Sequence, residues 1–238
     1  MREEFKSIAE WILKRALELG ADEAEVSLTV STSRLVKSEG VYPKALSRAS
    51  SDVWIRVAKG KRVAITTAST LERDALASTV EKAVQLARVS EEDPHWNGLP
   101  DPEKPAHSWV GFDEGIVSLE AGWLLDQVRS LISEVPKRYR DVKVTASGGT
   151  LAYGYSYVAN TRGLSAEQRG TYMSMSLSTK ATHSGNEGTG FAFLESRSLV
   201  LDFDNLIDRA CKMALDSAMG EKLGSTISGN VAFKPLPL

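Results

Sequence analysis

Residues 91–105 read EEDPHWNGLPDPEKP and hold four of the chain's eight prolines. Proline lacks a backbone N–H and fixes φ, so neither a regular helix nor a central strand can run through such a stretch. The chain must therefore fold as something before it and something after it. Composition alone leaves three readings: a disordered linker, a proline-rich ligand, or a fixed strap between two folded units. Trp96 and Leu99 favour the strap, because a freely solvated linker rarely carries large apolar anchors. Pro94 follows directly on a helical pattern that it cannot extend, and Pro100, Pro102 and Pro105 stiffen what comes next. A strap over 91–112, lying on the surface between two lobes, is the reading adopted.

Before the strap, Phe5, Ile8, Ala9, Ile12, Ala16 and Leu19 recur at helical spacing, and Gly20 can take the left-handed conformation that ends a helix. EVSLTVS then alternates Val26, Leu28 and Val30 against Ser27 and Thr29, the two-residue period of a half-buried strand. DVWIRVAKGKRVAITT does so twice, with Val53, Ile55 and Val57, then Val63 and Ile65, around a Lys59-Gly60 hairpin signal. Ser69 and Glu72 fit a capping box ahead of a helix with the stripe Leu76, Val80, Ala83, Val84 and Ala87. The order is helix, strands, helix over 1–90.

After the strap the order returns over 113–229. Leu124, Val128, Leu131 and Val135 predict a helix ending at Pro136. DVKVTA and LAYGYSYVANT read as two strands, the second with Tyr153, Tyr155 and Tyr157 on one face, and NTRG as a turn. TYMSMSLSTKA places Met173, Met175, Leu177 and Ala181 on one side and Ser174, Ser176, Ser178 and Lys180 on the other. SGNEGTG turns into a last strand. Asp204 is expected to cap a helix carrying Leu206, Ile207, Ala210, Cys211, Ala214 and Ala218, closed by Gly220. The fold class is α+β with two lobes, each helix, antiparallel strands, helix.

The chemistry is sparse. A formal net charge of −2 leaves no basic footprint for nucleic acid, and no apolar run is long enough to span a membrane. The single cysteine excludes an internal disulfide, and the amphipathic N-terminus does not read as a secretory signal, which points to the cytoplasm. His95 and His107 read as solvated loop residues. His183 with Glu187 could place two metal ligands on one loop, and a glycine-rich turn with polar tips is the favoured alternative. Cys211 falls on an apolar stripe and reads as packing rather than as a nucleophile. PKRYRDVK, residues 136–143, fits a phosphate contact or a solvated turn. The Ser/Met strand could accept an added strand, though an amphipathic strand with one wet face is the simpler account. The residues alone assign no catalytic, cofactor-binding or metal site.

RALELGADEAEV, IRVAKGKRVAITTASTLERDAL, VEKAVQLARVSEEDPHWNGLPDP, YVANTRGLSAEQRGTYMSMSLSTKA and EGTGFAFLESRS, taken in order, resemble the TldD/PmbA family, on its PmbA (TldE) side. Members carry the label of DNA gyrase modulators. The resemblance implies a two-subunit, zinc-dependent peptidase acting on unfolded polypeptides. Its zinc-binding His-Glu-x-x-x-His segment would lie in the C-terminal domain of the TldD-type subunit. This sequence contains no such segment, and 230–238 is expected to be the start of that further domain. The resemblance thus implies a non-catalytic subunit or N-terminal part, with zinc in the partner and none held here. Partners would be a TldD-like subunit or a second copy, and an unfolded peptide, without direct nucleic-acid or membrane contact. The alternative is a gyrase-modulating or other protein-binding module without enzymatic activity.

Overall fold

The computed structural model describes residues 2–40, 42–103, 111–200, 202–221, 224–226 and 228–230. His107, the strap beyond residue 103 as far as 110, and 231–238 lie outside the described residues. The protein is α+β. Helix α1 (Arg2–Glu18) leads into strands β1 (Glu23–Glu39), β2 (Tyr42–Lys59) and β3 (Arg62–Ala68), then helix α2 (Arg73–Val89). Helices α3 (Glu114–Ser118) and α4 (Ala121–Arg138) precede strands β4 (Val142–Asn160), β5 (Ser165–His183) and β6 (Asn186–Ser196), and helix α5 (Phe203–Ala218). The strands form one sheet in the order β3-β2-β1-β4-β5-β6, so each half read outward from the middle places its strands alike. β2 and β3 pair antiparallel, as do β5 and β6. Thr161 N–H donates to Ala24 O and Gly40 N–H to Thr145 O, which makes β1 and β4 antiparallel too.

Packing divides the chain into two compact units, each assembled from three stretches. The first comprises Met1–Thr32, Arg48–Phe112 and Tyr153–Gly170; the second comprises Ser33–Ser47, Asp113–Ala152 and Thr171–Leu238. The outer part of the β1–β2 hairpin therefore belongs to the second unit, and that of the β4–β5 hairpin to the first.

In the first unit, Phe5, Ala9, Ile12 and Ala16 of α1 and Leu76, Val80, Ala83, Val84 and Ala87 of α2 are buried against one face of the strands, where Val26, Leu28, Val53, Ile55 and Val57 point. Phe5 also meets Tyr155 edge to face at 5.2 Å between ring centroids. Gly20 ends α1 at φ 95°, and Gly60, at φ 58°, turns the β2–β3 hairpin. Asp22 holds that turn through Lys59 Nζ and Gly60 N, both at 2.7 Å. The capping box does not form. Glu72 is itself the N-cap of α2 and makes no side-chain cap bond, while its N–H donates to the Thr70 hydroxyl instead.

In the second unit, Leu124, Val128, Leu131 and Val135 of α4 and Leu206, Ile207, Ala210, Cys211, Ala214 and Ala218 of α5 cover Met173, Met175, Leu177 and Ala181 of β5, as the alternation requires. Three local expectations are corrected. α4 runs past Pro136 to Arg138, because a proline in the last turn costs only one hydrogen bond near a frayed end. The cap of α5 is Asp202, whose carboxylate accepts from Asn205 N, and Asp204 lies inside the first turn paired with Arg138 at 2.7 Å. The two strands expected at 141–146 and 151–161 are one strand, β4. Gly148 and Gly149 within it mark close approach, not a break: a Cβ on Gly149 would stand 2.5 Å from Met175 Sδ and 2.7 Å from Leu124 Cδ1.

A candidate binding face on the first unit

The histidines do not converge. His95 is exposed in the strap. His183 pairs with Asn186 and Thr182 with Glu187, so His183 and Glu187 project from opposite faces of the β5–β6 hairpin. Ser184 and Gly185 both have positive φ in the turn between them, the pattern of a type I′ hairpin. Glu187 pairs instead with Lys180 at 2.7 Å. Among the described residues no three His, Cys, Asp or Glu side chains stand together. Cys211 is fully buried, and burial, with Asp208 nearby, pushes its thiol up to about 11, far from the thiolate that a nucleophile needs. In the basic cluster, Lys137 meets Glu134 at 2.6 Å and Arg138 meets Asp204, so these cations are already matched by carboxylates. Tyr139 donates to Asp208 at 2.9 Å; burial first, then that bond, pushes its hydroxyl up to about 12.

The strap is fastened to the first unit. Arg62 bridges Glu92, Asp93 N–H donates to Lys61 O, and Leu99 is buried with its N–H on the Glu23 carboxylate. The NTRG turn holds the next residues. Arg162 donates to Leu99 O at 2.9 Å and pairs with Asp101 at 2.8 Å, and Asn160 Nδ2 donates to Pro100 O at 2.9 Å. Asn160 Oδ1 also accepts from Arg162 N and Leu164 N, which fixes the turn that carries Arg162.

The face of β1, β2 and β3 turned away from the helices carries a different set. Since Val53, Ile55 and Val57 are buried, Trp54 and Arg56 must point the other way, and Trp54 is 56% exposed. Arg56 stands directly across from Ile65, which is 48% exposed, and Trp54 across from Thr67. Glu25 reaches Arg56 at 3.2 Å. Glu25, Ser27, Trp54, Arg56 and Ile65 line a recess of about 280 Å³. Along the same face of β1, the Thr29 hydroxyl meets that of Ser156 at 3.0 Å. The sequence alternation assigns the buried members of β2 and passes over Trp54 and Arg56. In β3 it is corrected: Val63 and Ile65, expected as the half-buried face, point away from the side of Ala64, which is the residue buried. Ile65 joins the outer face because its partner across the strands is Arg56. An aromatic side chain on the wet side of a clean alternation is the available signal.

A six-stranded antiparallel sheet built from two helix–strands–helix halves is the fold of a known class of domains. The pattern of the PmbA/TldA metallopeptidase domain 1 matches residues 24–87, and that of the PmbA/TldA metallopeptidase central domain matches residues 112–218. The chain belongs to the PmbA/TldD family. Among solved structures it is similar to TldE from Thermococcus kodakarensis, with a TM-score of 0.81 and 20% identity over 87% of this chain and 47% of that one. Two proteins named as candidate modulators of DNA gyrase are also similar. The one from Bacteroides thetaiotaomicron has a TM-score of 0.79 and 16% identity, covering 92% of this chain and 51% of that one. The one from Thermotoga maritima has a TM-score of 0.80 and 16% identity, covering 93% and 50%. At such identities the likeness speaks for the fold. The chain spans about half the length of these structures. No curated protein matches it. No helix among the described residues is long and apolar enough to cross a membrane.

Proposed function

We propose that the chain is a non-catalytic, PmbA/TldE-type component of a cytoplasmic zinc metallopeptidase assembly that acts on unfolded peptides, paired with a TldD-like subunit or with a second copy. The observation that carries this reading is the match of the PmbA/TldA metallopeptidase domain 1 and central domain to residues 24–87 and 112–218, with a fold like that of TldE beside it. The donor set supports the division of labour. Zinc needs at least three ligands converging on one point, and His183 and Glu187, the pair that the sequence offers on one loop, face opposite ways. These residues do not fit the metal, and on this reading zinc and the hydrolysis it supports belong to the partner. This chain contributes binding surface and pairing.

The test is cleavage of an unstructured peptide by the chain alone, by a TldD-like subunit alone, and by the two mixed. Full turnover, abolished by a chelator, is expected only with the partner present. Chelator-sensitive cleavage by the chain alone would overturn the reading. A second reading, modulation of gyrase, draws on the names of two of the similar structures. The net charge of −2 and the carboxylate-matched Lys137 and Arg138 disfavour direct DNA contact. A salt-dependent shift of DNA mobility would revive it.

A further inference from the structure

We infer that the recess formed by Trp54, Ile65, Arg56, Glu25 and Ser27 is a subsite that holds an aromatic or large aliphatic side chain of an extended polypeptide. The apolar part of the recess is small: one indole and one isoleucine, both about half exposed. Around them stand an ion pair and hydroxyls, Glu25 with Arg56 at 3.2 Å, Ser27, and Thr67 across from Trp54. A surface permanently covered by a folded partner has a broad apolar core, commonly on the order of 2,000 Å² or more in total buried area. One tryptophan and one isoleucine offer far less than that, and a small contact area is the mark of a contact made and released.

The chemistry selects the occupant. Trp54 offers a flat ring on which another ring can stack or an aliphatic chain can lie, and Ile65 closes one side. The guanidinium of Arg56 carries five donors in a planar fork, more than one carboxylate contact engages, so it can also take a main-chain carbonyl. Glu25 steadies that fork and can accept a main-chain N–H. The hydroxyls beyond, Ser27 and the Thr29–Ser156 pair, both donate and accept, and so meet any backbone without choosing a sequence. Side-chain choice therefore falls to Trp54 and Ile65. Folded proteins bury their large apolar side chains and keep main-chain groups paired, so this arrangement prefers chains that are unfolded. The subsite rests on the proposed function only for the source of its ligand; the binding needs neither partner nor metal.

The experiment is an equilibrium titration of the purified chain with a fluorescein-labelled Gly/Ser-rich peptide carrying spaced phenylalanines, and with the same peptide in which serine replaces each phenylalanine. The phenylalanine peptide is expected to bind about tenfold more tightly, the scale of one good aromatic contact. Trp54→Ala should erase that difference, and Trp54→Phe should keep most of it. The losses from Trp54→Ala and from removing the peptide's phenylalanines should not add, because both remove one contact. Should Trp54→Ala fold poorly, Ile65→Ser carries the same test from the other side of the recess. Unchanged discrimination in a folded Trp54→Ala or Ile65→Ser chain overturns the subsite. So does a change confined to the sedimentation of the free chain, which would make this face a contact between copies. Lost discrimination by the Trp54 variant with partner-dependent cleavage intact supports both the subsite and the proposed function. Retained discrimination by the Trp54 variant with that cleavage intact overturns the subsite alone, whereas Trp54-dependent binding without partner-dependent cleavage overturns the proposed function alone.

Discussion

In the first unit α2 lies over β3 through a layer of side chains, with Leu76, Val80 and Val84 buried above Ala64. In the second, α5 meets β6 with almost nothing between the backbones. A Cβ on Gly188 would stand 2.2 Å from Ala218 N, and one on Gly190 would stand 2.0 Å from Ala210 O. Thr179, buried beneath, donates to Ala210 O at 2.9 Å. The two halves thus share an order of elements and a place for each helix, but reach helix–strand contact by different means. Side-chain volume fills the gap in one, and its removal closes the gap in the other. Shared architecture does not require the same packing residues.

The contrast is broken most directly at Gly190. In Gly190→Ala the new methyl meets backbone atoms of α5, which no rotamer change can move aside. The helix must shift, at a cost of roughly 3 kcal/mol or more. The thermal midpoint should fall by about 6–12 °C, and the buried Cys211 thiol should become open to a thiol reagent. An unchanged midpoint would mean that α5 is not seated on β6 as described. Leu76→Ala, at the side-chain-packed contact, removes volume instead and should cost about 2–4 kcal/mol through the cavity left behind. β1, β2, β4 and β5 each contribute to both units, so one transition is expected. Faster Cys211 labelling in the Leu76 variant, measured against denaturant, checks this; protection unchanged while the first unit melts would show that the units unfold separately.

Gly149 lies between those extremes. Its added Cβ would press on Met175 Sδ and Leu124 Cδ1, the ends of flexible side chains, with Ser174 O at 3.1 Å behind them. Because methionine can re-pack, Gly149→Ala should cost only about 1–2 kcal/mol. A loss as large as that of Gly190→Ala would show that Ser174 O, and not the side chains, sets the limit.

The same contrast explains what can be read in advance. Helix stripes and the Met/Ser alternation at 173–181 are legible because one face of each element is buried and the other wet. The hairpin ends are not. From Lys44 to Ala49 and from Ser165 to Arg169 both faces are exposed, so no two-residue period survives to mark a strand. In sequence Gly188 and Gly190 read as turn residues, and Gly148 and Gly149 as a gap between strands; in the fold all four are places where another chain segment comes close. Nothing local separates those uses of glycine. Trp54 and Arg56 take their face from their buried neighbours, but the cross-strand approach of Glu25 and Ile65 that makes a recess depends on register.

The smallest effects concern two carboxylates that tie down loops, one in each unit. Asp22 is held below the ordinary value of 3.8 chiefly by its hydrogen bond to Lys59, then by that from Gly60 N–H. Asp113 is held below 3.8 chiefly by the N–H of Leu199, at 2.7 Å, and then by that of Gly115, at 2.8 Å. A carboxyl whose folded value lies below its unfolded value stabilises the fold above the unfolded value, and loses that contribution as pH falls through the folded one. Both should therefore leave stability flat from neutral pH down to about 5 and contribute to its decline below about 4. Asp22→Asn and Asp113→Asn should each be slightly less stable than the parent at neutral pH and lose less on acidification, the curves closing toward one another at low pH. Salt separates them. The Lys59 contact of Asp22 is exposed and screened, so added salt should shrink the Asp22→Asn difference. Asp113 is held by backbone dipoles in a fixed geometry, and its difference should persist. Equal salt responses in acid unfolding curves would mean that Lys59 is not the main holder of Asp22, and that the two units anchor their loops by the same physics after all.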